Sequence, residues 1–544
     1  MFDKSDSSGC GVKFTLVRAL ACSLFPAIGW TEPVATQAST MPDIVASHAA
    51  LFAGAPPPDR VMHLVVSLPL RNIEKLDATL HEIYDPQTPN YRHYLSVAQF
   101  TDQFGPSDRD YDSAIAYFAQ NGFQVGPRAA NHYLIDIDGK VSDIERVFHV
   151  TMGLYRHPSE ARDFVSPDRL PTIDLQTPIQ QVIGLDDFVL PYRHLVRGES
   201  EEGSTGSGPG GNFIGSDIRK AYYPKGTLAG EGQSIGLMEL EGVDLSDVTK
   251  FFEKGYGAAN SVPIDLISTD GASVKCTGGC DDTEQALDIE YAISVAPGLD
   301  SVRVYVGKTA EDVLNAMAND NISKILSTSW GWNRNFKTDD ALFKEFAAQG
   351  QTNLTASGDY SSLPASGPWP EEDANIVAVG GTDLVTNKAG GIWKSETGWQ
   401  HSAGGPSTDK QITIESYQLP YINAANGGST TLRNVPDVAA NANTNMMICA
   451  DGSCAGGWGG TSFASPIWAG FIALVNEQAV AAGQPVVGFI NPAIYALGMT
   501  SNYDAGFHDI IKGKSGKFRC TASYDLVTGL GSPTGQELVD LLAD

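Results

Sequence analysis

Downstream of residue 212, short runs that are apolar along their whole length alternate with stretches of helical period. Five such runs stand out: Gln233-Ser-Ile-Gly-Leu-Met-Glu-Leu, Ser301-Val-Arg-Val-Tyr-Val, Ile325-Leu-Ser-Thr-Ser, Asn353-Leu-Thr-Ala-Ser and Asn375-Ile-Val-Ala-Val-Gly. A strand apolar on both faces must be covered on both, and helices expected at 244–254, 283–295, 310–320 and 340–349 supply that cover. The alternation predicts an α/β domain over residues 212–544, built on a parallel, doubly wound sheet.

The chain upstream reads differently. Residues 61–195 run strand, helix, helix, strand, helix, as in a small α+β unit. Residues 196–211 form a linker whose core, 198–211, holds Gly, Ser and Glu and no apolar residue, which makes it the expected cleavable connection. Its glycines follow no strand and open no helix, so they do not describe a nucleotide loop. Residues 32–60, rich in Ala and Pro, read as an N-terminal extension. Residues 1–31 carry Lys13 and Arg18 and then an apolar run at 19–30, the pattern of a signal peptide for a secreted protein, extracellular or periplasmic. No other stretch is long and apolar enough to span a membrane, so the mature form is expected to have no membrane span and to be a monomer.

With 36 Lys and Arg against 64 Asp and Glu, the net charge is −28, which disfavours nucleic acid and anionic lipid as partners. Of the seven cysteines, four form two local pairs, Cys276 with Cys280 and Cys449 with Cys454, and disulfides there suit an exported chain. Cys520 is left over, and no His/Cys cluster near either pair suits zinc.

The sharpest chemical signal is Gly459-Gly-Thr-Ser-Phe-Ala-Ser-Pro466, followed by an apolar helix. Ser462 at a helix start exposes its hydroxyl and turns its own N–H outward, toward a possible oxyanion. A plain capping serine is the alternative. The string resembles the one that subtilisin-like peptidases carry around their serine, yet the His-Gly-Thr-type sequence for the histidine base is missing. Only His401 and His508, of ten histidines, lie beyond His194, and neither sits in a suitable context. A carboxyl can be the base if its pKa is raised or if it works in acid. Glu284 and Asp288, four apart on a predicted helix, share a face and could share a proton. Taken alone they could equally be a solvated acidic helix start.

Together, Glu284-x-x-x-Asp288 and Gly-Thr-Ser462 resemble the sedolisin family of serine-carboxyl peptidases, in its kumamolisin-like branch. The resemblance implies a subtilisin-like catalytic sheet and a ferredoxin-like α+β activation prodomain, whose marks are Tyr84-Asp-Pro-Gln-Thr-Pro-Asn-Tyr and Ala98-Gln-Phe-Thr-Asp-Gln-Phe-Gly-Pro. It makes Ser462 the nucleophile, Glu284 the base and Asp288 the group that orients it. Asp359, in Ala356-Ser-Gly-Asp, becomes the oxyanion donor. Glu239 and Trp330, the latter in Ser-Thr-Ser-Trp-Gly, extend the carboxylate network. The family's calcium site maps to Asp509 and Asp525 through side chains and to Ile510, Thr521 and Ser523 through carbonyls. Family members usually carry Gly-x-Gly where this chain has Thr521-Ala-Ser523, which makes those two carbonyls less secure ligands.

The resulting expectation is a secreted zymogen of an acid-acting serine-carboxyl endopeptidase with one structural calcium ion. Its partners are protein or peptide substrates and its own prodomain, held as an intramolecular inhibitor. Tripeptidyl exopeptidase action, a catalytically silent binding protein and a conventional subtilase using His401 or His508 are the alternatives.

Overall fold

The computed structural model describes residues 34–35, 41–198, 203–253, 257–277, 280–363 and 369–544; the predicted signal segment and residues 199–202 of the linker lie outside that set. The larger domain is built on an eight-stranded sheet. Its strands are β1 (Ser234–Glu239), β2 (Ile264–Ser268), β3 (Ser301–Val306), β4 (Ile325–Thr328), β5 (Thr352–Ala356), β6 (Val377–Thr386), β7 (Trp393–Gly398) and β8 (Val438–Asn441). They lie in the order β2-β3-β1-β4-β5-β6-β7, with β8 also pairing along β6. Every pairing is parallel except β6 with β7. The five apolar runs of the sequence all become strands. The other three lack such a run: β2 is a half-exposed edge strand, β7 holds Lys394, Ser395, Glu396 and Thr397, and β8 has four residues.

Two helices carry the chemistry. Helix α1 (Thr283–Val295) is buried along its whole length, Glu284, Asp288 and Glu290 included. Helix α2 (Thr461–Ala481) is apolar on all sides, as a core helix must be. The two cross at Gly470, where a Cβ would lie 2.7 Å from the Val295 Cβ and 2.9 Å from the Ala292 carbonyl. A bare backbone at that point lets α2 approach α1 closely enough to bring Ser462 and Glu284 to one end of the packed pair.

The N-terminal domain has a four-stranded antiparallel sheet. Val61–Ser67 lies between Leu134–Lys140 and Gln181–Ile183, and Gln124–Val125 borders Leu134–Lys140. With Ile73–Tyr84 and Asp108–Gln120 ahead of the second strand and Val141–Phe148 ahead of the last, the connectivity is βαββαβ, the ferredoxin-like arrangement. A second sheet takes in Leu51–Gly54, residues that composition assigns to the extension, with Met152–Arg156 and Asp163–Pro167. The domain docks on the catalytic unit through polar contacts that include Tyr84 Oη donating to the Ala347 carbonyl at 2.7 Å. Asn131 Nδ2 reaches Asn315 and Glu345, each at 2.9 Å. Cys276–Cys280 and Cys449–Cys454 are disulfides, and Cys520 is a buried thiol.

Because the α1–α2 crossing has no room for a side chain, Gly470→Val should destabilise the fold by ~1–3 kcal/mol through overpacking. Denaturant unfolding of the Ser462→Ala background checks this; an unchanged midpoint contradicts it.

Candidate active site

Ser462 is the second residue of α2, past the N-cap position that Gly460 takes, and makes no capping bond. Its neighbour Gly460 has φ +134°, a conformation that side chains resist. A Cβ there would strike the His194 carbonyl oxygen and lie 2.8 Å from Asp359 Oδ2. Those two oxygens therefore flank one small space beside the nucleophile.

The segment before the linker runs through this space. Tyr192–Arg193 pairs antiparallel with Trp330–Gly331, and the His194 N–H donates to the Ser329 carbonyl at 3.2 Å. The Ser462 N–H then donates to the His194 carbonyl at 3.1 Å. Beyond it, Val196–Arg197 pairs with Trp458–Gly459, and the Gly198 N–H donates to the Gly457 carbonyl at 2.8 Å. One chain is thus held as an extended strand on both sides of the serine, its His194 carbonyl carbon facing the catalytic centre. Sequence reasoning missed this role of residues 192–198, because an extended strand that borrows its partners from another domain leaves no local periodicity.

Four carboxyls surround the serine. Glu284 is fully buried and neither of its oxygens has a hydrogen-bond partner. Burial pushes its pKa well above the ordinary range, opposed by the nearby Ser462 hydroxyl and by Arg193. Asp288, one turn on, accepts from Ser329 Oγ at 2.8 Å, and burial together with the charges of Glu239 and Glu284 pushes its pKa well above the usual carboxylate range. Glu239, at the end of β1, accepts from Trp330 Nε1 at 2.9 Å and is hydrogen-bonded to Asp288; burial raises its pKa to about 8. Ser462 Oγ lies 3.5 Å from the Ser329 carbonyl. Ser329 thus touches both Asp288 and the nucleophile's surroundings, a role the sequence did not single out.

Asp359 follows β5. Its Oδ1 accepts from the Thr461 N–H at 2.9 Å and from Thr461 Oγ1 at 2.8 Å, which aims the shielded, unpartnered Oδ2 at the space beside the His194 carbonyl. Burial raises its pKa to about 7 against those two donors, so in acid Oδ2 bears a proton it can donate.

Arg193 is the cation among these acids. It pairs with Asp281 at 2.8 Å and Glu241 at 3.1 Å, and its guanidinium stacks over Trp330. His194 Nδ1 is bonded to Tyr360 Oη at 2.9 Å, and burial lowers that imidazole to about 3. The ring of His401 packs edge-on against Trp399 and that of His508 stacks on Trp393 at 3.7 Å.

The expected calcium residues converge in a C-terminal turn. The Ser523 N–H donates to both Asp509 oxygens and the Thr521 N–H to Asp525 Oδ2 at 3.0 Å. The carbonyls of Ile510, Thr521 and Ser523 accept no hydrogen bond from the described residues, and burial raises Asp525 to about 7. Two carboxylates and free carbonyls fit a hard cation. Thr521 keeps an ordinary backbone, while Ser523 takes φ +66°, a strained value for a non-glycine at the position where family members use Gly.

A serine at a helix start, a buried carboxyl pair near it and an N-terminal domain threaded through the cleft are the arrangement of a serine-type peptidase carried with an activation domain. Residues 48–188 match the model of the pro-kumamolisin activation domain. Kumamolisin of Bacillus sp. (strain MN-32) is 29% identical, aligned over 92% of this chain and 96% of its own. Sedolisin of Pseudomonas sp. (strain 101) is 26% identical over 95% of this chain and 92% of its own. The solved Pseudomonas sedolisin, complexed with two molecules of pseudo-iodotyrostatin, superposes with a TM-score of 0.53 at 24% identity, covering 60% of this chain and 96% of that one. Over nearly its whole length the chain is thus similar to serine-carboxyl peptidases of the sedolisin family.

Glu239, Asp359 and Glu371, raised by burial to about 8, 7 and 8, keep protons in the folded state that the unfolded chain releases near pH 4. Their contribution is full below about pH 4 and is lost as pH climbs through 7 to 8. The unfolding midpoint of the Ser462→Ala chain should therefore fall between pH 5 and pH 8; a midpoint that rises over that window refutes it.

Proposed function

We propose that this chain is the exported precursor of an acid-acting endopeptidase with a Ser462–Glu284–Asp288 triad. The observation that carries the reading is the His194 carbonyl, held on the Ser462 N–H beside Asp359 Oδ2 as a scissile carbonyl would be. Ser462 Oγ attacks the carbonyl carbon and its proton passes to ionised Glu284. Asp288, fixed by Ser329 and Glu239, orients Glu284 and stabilises it as it gains the proton. The oxyanion takes hydrogen bonds from the Ser462 N–H and from protonated Asp359. Glu284 returns the proton to the leaving nitrogen, the C–N bond breaks, and water attacks the acyl-enzyme by the same route in reverse.

Chain continuing on both sides of the serine favours endopeptidase action over removal of tripeptides from a free N-terminus. All four chemical residues are present and converge, which disfavours a silent binding protein. The contacts of His401 and His508 with Trp399 and Trp393 give neither a bond to the serine. A calcium ion at Asp509 and Asp525, with the carbonyls of Ile510, Thr521 and Ser523, would hold the C-terminal turn together by charge.

The prodomain serves as an intramolecular inhibitor whose own strand occupies the cleft. Composition favours a cut within 198–211, but the register supports His194–Leu195 as the first bond broken, with trimming of the linker afterwards. On acidification, mass spectrometry should find Leu195 as the earliest new N-terminus; a first cut confined to 198–211 contradicts this.

Ser462→Ala and Glu284→Gln should each lower kcat/KM at acid pH by at least about a thousandfold, the scale set by loss of a triad member. His401→Ala and His508→Ala should leave the rate within a few-fold. Asp359→Ala should cost ~10²–10³-fold in kcat, as loss of an oxyanion donor does. In the wild type that donor is present below about pH 7 and lost above it, so Asp359→Asn, whose amide donates at any pH, should remove the alkaline fall in rate. A neutral optimum that depends on a histidine would sink the mechanism.

A further inference from the structure

Where the prodomain sheet meets the catalytic domain, five ionisable side chains meet with no assigned task. His63, on the central prodomain strand, bonds through Nδ1 to Asp138 Oδ1 at 2.9 Å and through Nε2 to Asp312 Oδ2 at 2.9 Å. Asp138 belongs to the prodomain, and Asp312 to the catalytic helix Ala310–Asp320. Ligand atoms of His63, Asp270 and Asp312 all lie within 4.8 Å of one another. Asp136, also on the prodomain sheet, turns its carboxyl onto that of Asp312. Asp312 is 4% exposed, and apart from the Asp136 carboxyl its Oδ1 has no hydrogen-bond partner among the described residues.

We propose that this cluster is a divalent transition-metal site, suited to Zn²⁺, that bridges the prodomain and the catalytic domain. His63 Nε2, Asp312 and Asp270 are the ligands, and Asp136 is placed to complete them. Imidazole nitrogen with carboxylate oxygen is a donor set that zinc accepts. Asp138 on Nδ1 is the outer carboxylate that metal-bound histidines commonly carry, so a cation that takes the place of the hydrogen between Nε2 and Asp312 meets a ring already oriented. Two carboxyls in contact away from water need a positive particle between them. The groups facing His63 from both domains are Asp136, Asp138, Asp270 and Asp312, with Lys308 behind Asp270 through its N–H at 2.6 Å. Four acids against one imidazole and one lysine leave a surplus of negative charge that a divalent cation offsets.

The site draws its ligands from both domains, so a bound cation would fasten the inhibitor to the enzyme. This consequence rests on the inhibitory role proposed for the prodomain, whereas the binding itself does not. The test uses the full chain carrying Ser462→Ala, which cannot cut itself, titrated with Zn²⁺ by calorimetry and with Co²⁺ by visible absorption, both in excess Ca²⁺ to fill the C-terminal turn. One equivalent should bind, with ligand-field bands of a low-coordinate His/carboxylate site for Co²⁺. Asp312→Asn and Asp270→Asn should each weaken binding at least tenfold; Asp270, at a half-buried loop, guards against a variant that merely misfolds. No binding, or binding equal in both variants and the parent, overturns the site. In the self-processing chain, Zn²⁺ should slow the appearance of the Leu195 terminus, and Asp270→Asn should remove that effect. Binding without slowing would leave the site standing and refute the fastening.

Discussion

Everything at the catalytic centre depends on placing carboxyl groups where water does not reach and where the catalytic domain offers them few cations. Glu284, Asp288 and Glu239 are all fully buried. Ionising several of them together is costly in such a place, so protons are retained and passed among them. In the proposed mechanism Glu284 must be able to hold the serine's proton, and its affinity is raised by burial rather than by its chemical type. Trp330, Ser329 and the helix α1 are therefore as much part of the chemistry as the triad, since they decide which oxygens face a donor.

The same confinement explains the backbone. Gly470 lets two buried helices touch, and Gly460 empties the space that a tetrahedral oxyanion would fill. Neither residue bears a reacting group. Replacing either would alter the distance between serine and acid, or close the space where charge develops, without changing a single catalytic side chain.

Much of this was legible in the sequence, and for identifiable reasons. The doubly wound sheet showed because its central strands are apolar on both faces. Glu284 and Asp288 showed because a spacing of four is geometric information in a helix, and Ser462 because glycines and a serine precede a long apolar run. Their burial did not show: an acidic helix start looks the same whether solvated or enclosed, and only the packing of α2 decides it. Residues 192–198 were hidden for the reason that makes them interesting, since their strand partners, Trp330–Gly331 and Trp458–Gly459, lie more than a hundred residues away. His63 was equally silent, a lone histidine in a strand whose acidic neighbours come from another strand and another domain.

Arg193 joins these themes. It sits on the N-terminal side of the bond facing the serine, and its charge favours ionised Glu284 and Glu239. In the precursor the segment in the cleft therefore supplies the cation that helps form the base that would cut it. When that segment leaves, the cation leaves too, and both carboxyls hold their protons more firmly. The base of the released enzyme is then stronger, though less often ionised at a given pH, than the base of the precursor. On the proposed mechanism, self-cleavage and the cutting of other chains use one set of residues under two electrostatic conditions, and the pH ranges of the two reactions need not coincide.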